Sequence, residues 1–415
     1  MKHVSSKRER DRAVVLDVVR RFGPLSRVDI HQLTRLRPGT ISLLVRDLLD
    51  QGQVLAVGPS NNPLGRKQVL LRLNEDHRFI AAIEYDAEAV VAAVLNLAAK
   101  VACRISEPTY LEGGIEGLVR QLLAATEKVI RRAGVDPAAL VAVGAADPSL
   151  IDAQAGVTIT SSTIDFWKGV PLQKIFEKRF RVPFLLESNT RARAAAERLL
   201  GAGQLAQDML YLDYGTGIGL GVISEGRLLH GRSGCAGEFG HTHVAVGGPA
   251  CRCGSFGCLE AIAGAPALAA RARGAVLDGG SSMVLELAGG EPDRITGYLV
   301  FEAARRGDKM CAALVEDVEQ YLGLSLANVV NLLNPSLVVL DRRLGHGDPE
   351  FLERLARIVR RQALSGATDG LAFRFSELGP AAGVMGMALL VVERLFEIPS
   401  LQPPQFMTEP AAALL

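Results

Sequence analysis

The sequence predicts an α/β protein that carries a small head of winged helix-turn-helix order. Three observations support this. Apolar residues recur at helical spacing three times within the first fifty positions, then give way to two short strand-like runs. From residue 79 onward, strand-like and helix-like segments interleave. Charge is also unevenly divided: residues 1–73 hold fourteen Lys or Arg against six Asp or Glu, a balance of +8, in a 415-residue chain of formal net charge +1, so the remaining 342 residues sum to −7. A basic head on an acidic body suits a nucleic-acid footprint, and suits a plain solvated surface too.

The length predicts two or three domains with a substantial core. A hydrophobic content of 48% excludes disorder for most of the chain. The apolar run Val384–Val392 is among the longest and stops at nine residues, short of the ~20 that span a bilayer. Residues 1–12 are charged and have no apolar segment behind them, unlike a signal peptide. A cytoplasmic protein with no membrane partner is the expectation.

In the head, Ala13, Val14, Leu16, Val18 and Val19 predict a helix over residues 7–21, ended by Phe22-Gly23-Pro24. Ser26 and Asp29 mark the capped start of a second helix, with Ile30 and Leu33 inward. Arg37-Pro38-Gly39 opens a third, whose apolar side is Ile41, Leu44, Val45, Leu48 and Leu49; Gly52 closes it. Residues 53–57 and 69–73 read as strands around a wing. In this order the third helix enters a major groove and presents Arg37, Thr40, Ser42 and Arg46, while Arg66 and Lys67 in the wing reach phosphate or minor groove. A helical interaction domain without DNA is the alternative.

In the body, strands are predicted in 79–94, at 140–144, 183–187, 211–214 and 337–340, with helices at 117–134, 167–180, 190–200, 314–331, 351–363 and 384–395. A polar loop is expected from 145 to 162. The glycines at 215–221 sit between two strands, where they either cradle phosphate through backbone N–H groups or make a tight hairpin.

His241, Cys251, Cys253 and Cys258 form His-x9-Cys-x-Cys-x4-Cys. One imidazole and three thiolates suit tetrahedral zinc, and four protein ligands leave no open position, so the expected role is structural. Cys103, Cys235 and Cys311 read as small core residues. Glu238 and Glu260 flank this loop and could grip hydroxyls through charge-assisted hydrogen bonds, or serve as outer partners of the metal.

The segment YLDYGTGIGLGVISEGRLLHGRSGCAGEFGH at 211–241, followed by CRCGSFGCLE at 251–260, resembles the ROK family of repressors, open reading frames and sugar kinases. FGPLSRVDIHQLTRLRPGTISLLVRDLLDQGQVL at 22–55 looks like the helix-turn-helix of the family's repressors; NLLNPSLVVL at 331–340 and LGPAAGVMGMALL at 378–390 look like its C-terminal segments. The resemblance implies an actin-like, ribonuclease H-like sugar kinase fold with two lobes around a sugar cleft, a homodimer or homotetramer, and a structural zinc. It implies domains at 1–75 (winged helix-turn-helix), 76–200 (small lobe, closed by the C-terminal helix) and 201–400 (large lobe with the zinc loop), then a tail at 401–415. It also implies that Glu238, His241 and Glu260 contact the sugar, with Trp167 in a loop near the cleft.

Departures from the family pattern carry the functional expectation. Family kinases have an Asn-Asp pair whose Asp is the general base; LLESNTRARAAAE at 185–197 places Ser188 and Asn189 there. An amide cannot take a proton from a sugar hydroxyl as a carboxylate can, though it still hydrogen-bonds. The N-terminal phosphate turn holds Glu84, Asp86 and Glu88, acids expected to repel ATP phosphates, and the late Gly-Gly is Asp341-Arg342. The expectation is a regulator, not an enzyme, with no ATP. It binds operator DNA, most simply as a repressor of carbohydrate-related genes, and senses a sugar or sugar phosphate at Glu238, His241, Glu260, Asn189 and Ser188. An active kinase carrying a DNA-binding head and a ligand-independent regulator controlled by a protein partner are the alternatives.

Overall fold

The computed structural model describes residues 6–59 and 68–396. The wing residues Arg66 and Lys67 and the tail at 401–415 lie outside them.

The head is built by three helices, the first two capped by side chains. Helix α1 (Lys7–Phe22) starts with a reciprocal capping box between Ser6 and Glu9, and α2 (Arg27–Thr34) with one between Ser26 and Asp29. Helix α3 (Pro38–Asp50) has Pro38 at its first position, where the missing N–H leaves no bond unmade. Strands β1 (Val54–Pro59) and β2 (Val69–Leu73) pair antiparallel. Val15, Val19, Ile30, Ile41, Leu44, Val45, Leu48, Val54 and Leu71 form one core, so the periodicity of all three helices is spent on a common interior.

The body follows as β3 (Phe79–Tyr85), β4 (Ala89–Asn96), β5 (Val101–Pro108), α4 (Gly114–Ala133), β6 (Leu140–Asp147), β7 (Leu150–Asp152), β8 (Val157–Thr160), β9 (Lys168–Val170), α5 (Leu172–Phe180), β10 (Phe184–Ser188) and α6 (Asn189–Leu200). Then come β11 (Met209–Tyr214), β12 (Ile218–Ser224), β13 (Arg227–Leu228), α7 (Leu259–Ala263), α8 (Ala265–Leu277), α9 (Met283–Leu287), α10 (Gly297–Arg305) and α11 (Lys309–Leu333). The chain continues through β14 (Leu337–Leu340), α12 (Pro349–Gln362), α13 (Ser365–Thr368), β15 (Ala372–Phe375) and α14 (Ala382–Phe396). Two five-stranded sheets result, ordered β10-β6-β3-β4-β5 and β13-β12-β11-β14-β15, with a small β7-β8-β9 sheet beside the first. In each large sheet an antiparallel run gives way to parallel pairing.

Helix α14 returns from the end of the second sheet to pack on β3, β6 and α6. With the turn before it, the span Gly379–Phe396 is long and apolar enough to cross a membrane by length and composition only, yet the helix buries Val384, Gly386, Met387, Ala388, Val391 and Val392 inside the first sheet's core. The apolar run in the sequence is thus a core helix's inner face.

Three expectations are corrected. The segment after residue 144 is not one polar loop: β6 runs on to Asp147, and β7 and β8 follow, because Leu150, Ile151 and Val157 supply strand formers between short turns. Trp167 is not helical; Gly169 at φ +67° and Pro171 delay the helix to Leu172. Cys235 is exposed, not a core residue, whereas Cys311 is buried and Cys103 intermediate.

Helices α6 and α14 cross so closely that a Cβ on Gly386 would lie 1.7 Å from the Ala192 carbonyl oxygen. Backbone cannot retreat cheaply, so Gly386→Ala is expected to lose about 2–3 kcal/mol of stability or fail to fold. Thermal unfolding beside Gly366→Ala, where an added Cβ meets nothing within 4 Å, checks this.

Candidate functional site

Helix α6 begins where β10 ends, and its first turn carries the site. Ser188 caps it, its Oγ accepting from Arg191 N at 3.3 Å. The next residue, Asn189, is buried; its Nδ2 donates to the Tyr85 carbonyl at 2.8 Å, and among the described residues its Oδ1 has no partner. Behind it lies a polar knot. Asp147, fully buried at 0% exposure, accepts from the hydroxyls of Tyr85 and Thr158, from Ser149 N and from Trp167 Nε1. Trp167, expected in a loop near the cleft, is a buried donor in this knot.

Arg191 ties α6 to the next loop. Its Nε donates to Glu187 Oε1 at 2.6 Å, and its Nη1 to the carbonyls of Gly234 and Ala236 at 2.9 and 3.3 Å. His230 Nε2 lies 2.8 Å from the second Glu187 oxygen. Against the burial that would raise it, His230 and Arg191 hold the Glu187 carboxyl below its ordinary range.

The loop so anchored delivers Glu238, whose carboxylate has no hydrogen-bond partner among the described residues. Burial raises its carboxyl above the ordinary value, while His241 and Arg191 oppose and Glu260 adds to the rise. Glu238, His241 and Glu260 are therefore electrostatic neighbours, as the sequence pattern requires. Glu260, in the first turn of α7, accepts from Ile218 N at 3.0 Å. That oxygen would lie 2.8 Å from a Cβ on Gly217, so the glycine turn and the acid are fitted to one another.

The glycines divide between two jobs. Gly215 and Gly217 make the turn, closed by Gly215 N to Gly217 O at 3.0 Å. Gly219 and Gly221 lie within β12, where a Cβ would come within 2.4 Å of Thr190 Oγ1 and of Ala194 Cβ respectively. They let α6 rest directly on the strand.

The acidic turn does not present three free charges. Glu84 is buried and paired with Arg193 Nε at 2.7 Å. Asp86 caps its own turn through Glu88 N and Ala89 N, both at 2.8 Å. Arg193 Nη1 also reaches Asp213 Oδ1 at 2.8 Å and Asp341 Oδ2 at 3.7 Å; Arg343 Nη2 bonds the same two carboxylates at 2.6 and 2.8 Å. Burial, partly offset by Arg193, holds Glu84 above its ordinary value, whereas the two guanidiniums overcome burial and hold Asp213 below its own. Glu84 thus belongs to an ion-pair network joining β3 to the ends of β11 and β14.

His241, Cys251, Cys253 and Cys258 place one ligand atom each within 4.8 Å of one another. Cys251 Sγ lies 3.7 Å from His241 Nδ1, and Cys253 Sγ 3.8 Å from Cys258 Sγ. A metal bound tetrahedrally at about 2.3 Å has ligand–ligand edges of about 3.8 Å, so the donors fit. Burial and the neighbouring thiols push Cys258 up to about 12; a bound divalent cation would allow three thiolates to share this space. His243, whose ring the sequence leaves unassigned, is exposed and its backbone bridges to Cys258.

In the head, Ile41, Leu44, Val45 and Leu48 of α3 are buried, while Arg37, Ser42 and Arg46 are exposed and Thr40 is half-buried. Leu43, absent from the sequence-based selection, is 58% exposed on this helix.

Residues 81–394 match the model of the ROK family. The chain belongs to the ROK family. Among relatives, the "Xylose repressor" of Caldicellulosiruptor bescii is 28% identical over 375 residues, covering 90% of this chain and 93% of that protein. The "Glucokinase" of Halalkalibacterium halodurans is 29% identical over 318 residues, covering 76% of this chain and 96% of its own. A solved structure described as a ROK family transcriptional regulator, homolog of the E. coli MLC protein, matches with TM-score 0.80 at 23% identity, over 94% of this chain and 97% of that one. This ROK protein thus has an N-terminal helical head followed by an actin-like sugar-kinase core.

Sequence reasoning missed Glu187, Arg191, Arg193, His230 and Arg343. The one available signal was two arginines spaced by alanines in the TRARAAAE segment, unusual cargo for a helix that small residues mark as buried.

Two outcomes are expected. Cys258→Ser lowers bound metal per chain, measured by elemental emission, and lowers thermal stability with it. Glu187 binds fewer protons folded than unfolded, so its contribution is full above the ordinary carboxylate value of 4.5 and is lost as pH falls through and below it. Glu187→Gln therefore destabilises by about 3–5 kcal/mol near neutral pH, by leaving Arg191 unpaired, and by less in acid; unfolding midpoints of both chains across pH 3–7 (roughly the carboxylate range) read the difference.

Proposed function

We propose that this chain is a sequence-specific DNA-binding regulator, acting as a repressor of carbohydrate-related genes, in which a kinase-like core senses a sugar or sugar derivative without phosphorylating it. The observation that carries the reading is Asn189. It stands where a phosphotransfer base is required, offers an amide, and commits its NH2 to the Tyr85 carbonyl. Its buried Oδ1, without a partner among the described residues, suits a hydroxyl donor, so the position is fit to hold a sugar and unfit to deprotonate one.

The sensing site comprises Glu238, His241, Glu260, Asn189 and Ser188. The loop ion is zinc, held by His241, Cys251, Cys253 and Cys258 in a structural role: it fixes the 241–258 loop and so the orientation of Glu238 and Glu260. No nucleotide cofactor is part of this reading; what supports that is the amide at Asn189 and the replacement of the late Gly-Gly by Asp341-Arg342.

DNA reading falls to α3. Arg37, Thr40, Ser42 and Arg46 face bases and phosphates, Leu43 meets a thymine methyl, and Arg66 and Lys67 reach the backbone or minor groove. The relative named a xylose repressor aligns over 90% of this chain and the glucokinase over 76%, which supports a head shared with regulators. A homodimer or homotetramer in the cytoplasm would set two heads on half-sites of one operator. Sugar binding that favours one lobe arrangement by ~1–3 kcal/mol is enough to shift operator affinity 5–150-fold.

Fluorescence binding to DNA from upstream of the gene is expected to be sequence-selective and to weaken steeply with salt. Arg46→Ala is expected to cost about 1–3 kcal/mol; absence of selective binding overturns the reading. A coupled ADP-release assay across a sugar panel is expected to stay at background, and turnover with any sugar would establish a kinase instead. Melting-temperature shifts over the same panel separate a sugar sensor from a ligand-independent regulator.

A further inference from the structure

A cavity of about 300 Å³ lies where the head meets the body. Its floor is apolar: Leu16 of α1, Leu73 at the end of β2, Leu97 after β4, Val141 of β6, and Phe396 at the tip of α14. Arg20 of α1 holds the Phe396 ring in place, its guanidinium carbon 5.0 Å from the ring centre. The cavity therefore exists only with the head docked on the body, since α1 is one of its walls.

Two guanidiniums stand at its rim. Arg12 donates to the side-chain oxygens of Gln51 and Gln53, and Arg78 to the Ala138 carbonyl at 2.7 Å. These acceptors are neutral, so among the described residues neither cation has a carboxylate partner. One acid, Glu9, also lines the cavity, and its carboxylate is engaged by Ser6 N and Oγ in the α1 capping box. The lining thus combines an apolar floor with two guanidiniums against one carboxylate, an excess of positive charge and a chemistry unlike that of the sugar cleft.

We propose that this cavity binds a small amphiphilic carboxylate, an aryl or branched-alkyl acid, with its apolar body on the Leu16–Leu73–Leu97–Val141–Phe396 floor and its carboxylate toward Arg12 and Arg78. The volume stands at the low end of ligand pockets, which selects a molecule of one or two rings. Charge-assisted bonds from guanidinium supply selection for acid over neutral analogue. Because the ligand touches head, body and α14 together, it stabilises the docked head relative to any arrangement that opens the cavity. Its effect on operator binding rests on the regulator reading; its binding does not.

Titration calorimetry of the full chain with 1-naphthoate tests the site, with 1-naphthamide as the neutral analogue. Saturable binding at one site per chain is expected, with the acid favoured by about tenfold, the equivalent of 1.4 kcal/mol. Arg78→Gln is expected to cut that preference severalfold, and Arg12→Gln with Arg78→Gln to erase it. Ala13→Phe, which fills the cavity from α1, is expected to abolish binding of acid and amide alike. If Ala13→Phe does not fold, the acid-to-amide ratio in Arg78→Gln still decides. Absence of saturable binding, equal affinity for acid and amide, or indifference to these substitutions overturns the proposal. So does a gain in affinity on ending the chain at Phe396, which would assign the cavity to residues 397–415. No DNA enters the measurement, so its failure leaves the regulator reading standing, and failure of operator binding leaves this site standing.

Discussion

The buried guanidinium of Arg193 is the contact on which the body depends. It joins Glu84 at the end of β3 to Asp213 at the end of β11, and so binds one five-stranded sheet to the other. Arg343 doubles the bridge to Asp213 and Asp341. Three carboxylates would repel one another at this depth; two cations among them make the arrangement stable, though desolvation consumes much of the Coulombic gain. What the network secures is relative position. With Glu84 pressed against Gly383, where no side chain fits, the start of α14 is held at the same point.

Helix α6 makes this economy work. Within one turn and a half it supplies Ser188 as cap, Asn189 facing Tyr85, Arg191 holding the 234–236 carbonyls and Arg193 bridging the sheets. Its alanines and the facing Gly219, Gly221 and Gly386 bring backbone close enough for these short polar contacts to form. The candidate binding groups and the inter-sheet bridge are therefore not separable parts: Glu238 reaches its place through a loop that hangs from Arg191, two positions from Arg193.

Much of this was legible in the residues. The capping pair of Ser26 with Asp29, Pro38 at a helix start, and the spacing of the three cysteines behind His241 are local signals, complete within a few positions. The head and the metal cluster could be read for that reason. The polar knot around Asp147 could not, because Tyr85, Thr158 and Trp167 come from separate strands and loops and meet only when the first sheet closes. The ion-pair network was not legible for the same cause: Glu84 and Arg193 are 109 positions apart, and acids counted along a turn carry no information about the cation that faces them. Helix α8 was not legible because its alanine-rich stretch lacks a strong apolar stripe, and α9 because it is only five residues long.

Helix α14 has a mechanical consequence. It is pinned at Gly386 by a backbone contact with α6 and ends at Phe396 beneath Arg20 of the head. Ten residues of helix separate the two points, about 15 Å at 1.5 Å per residue. A rigid rod of that length turns a tilt of about 4° at its fulcrum into a displacement of about 1 Å at its tip. The joint between head and body is thus the far end of a lever whose pivot lies beside Arg193, and angular errors at the pivot are magnified where the head is seated. That requirement accounts for glycine at 386, where even one methyl group would shift the pivot.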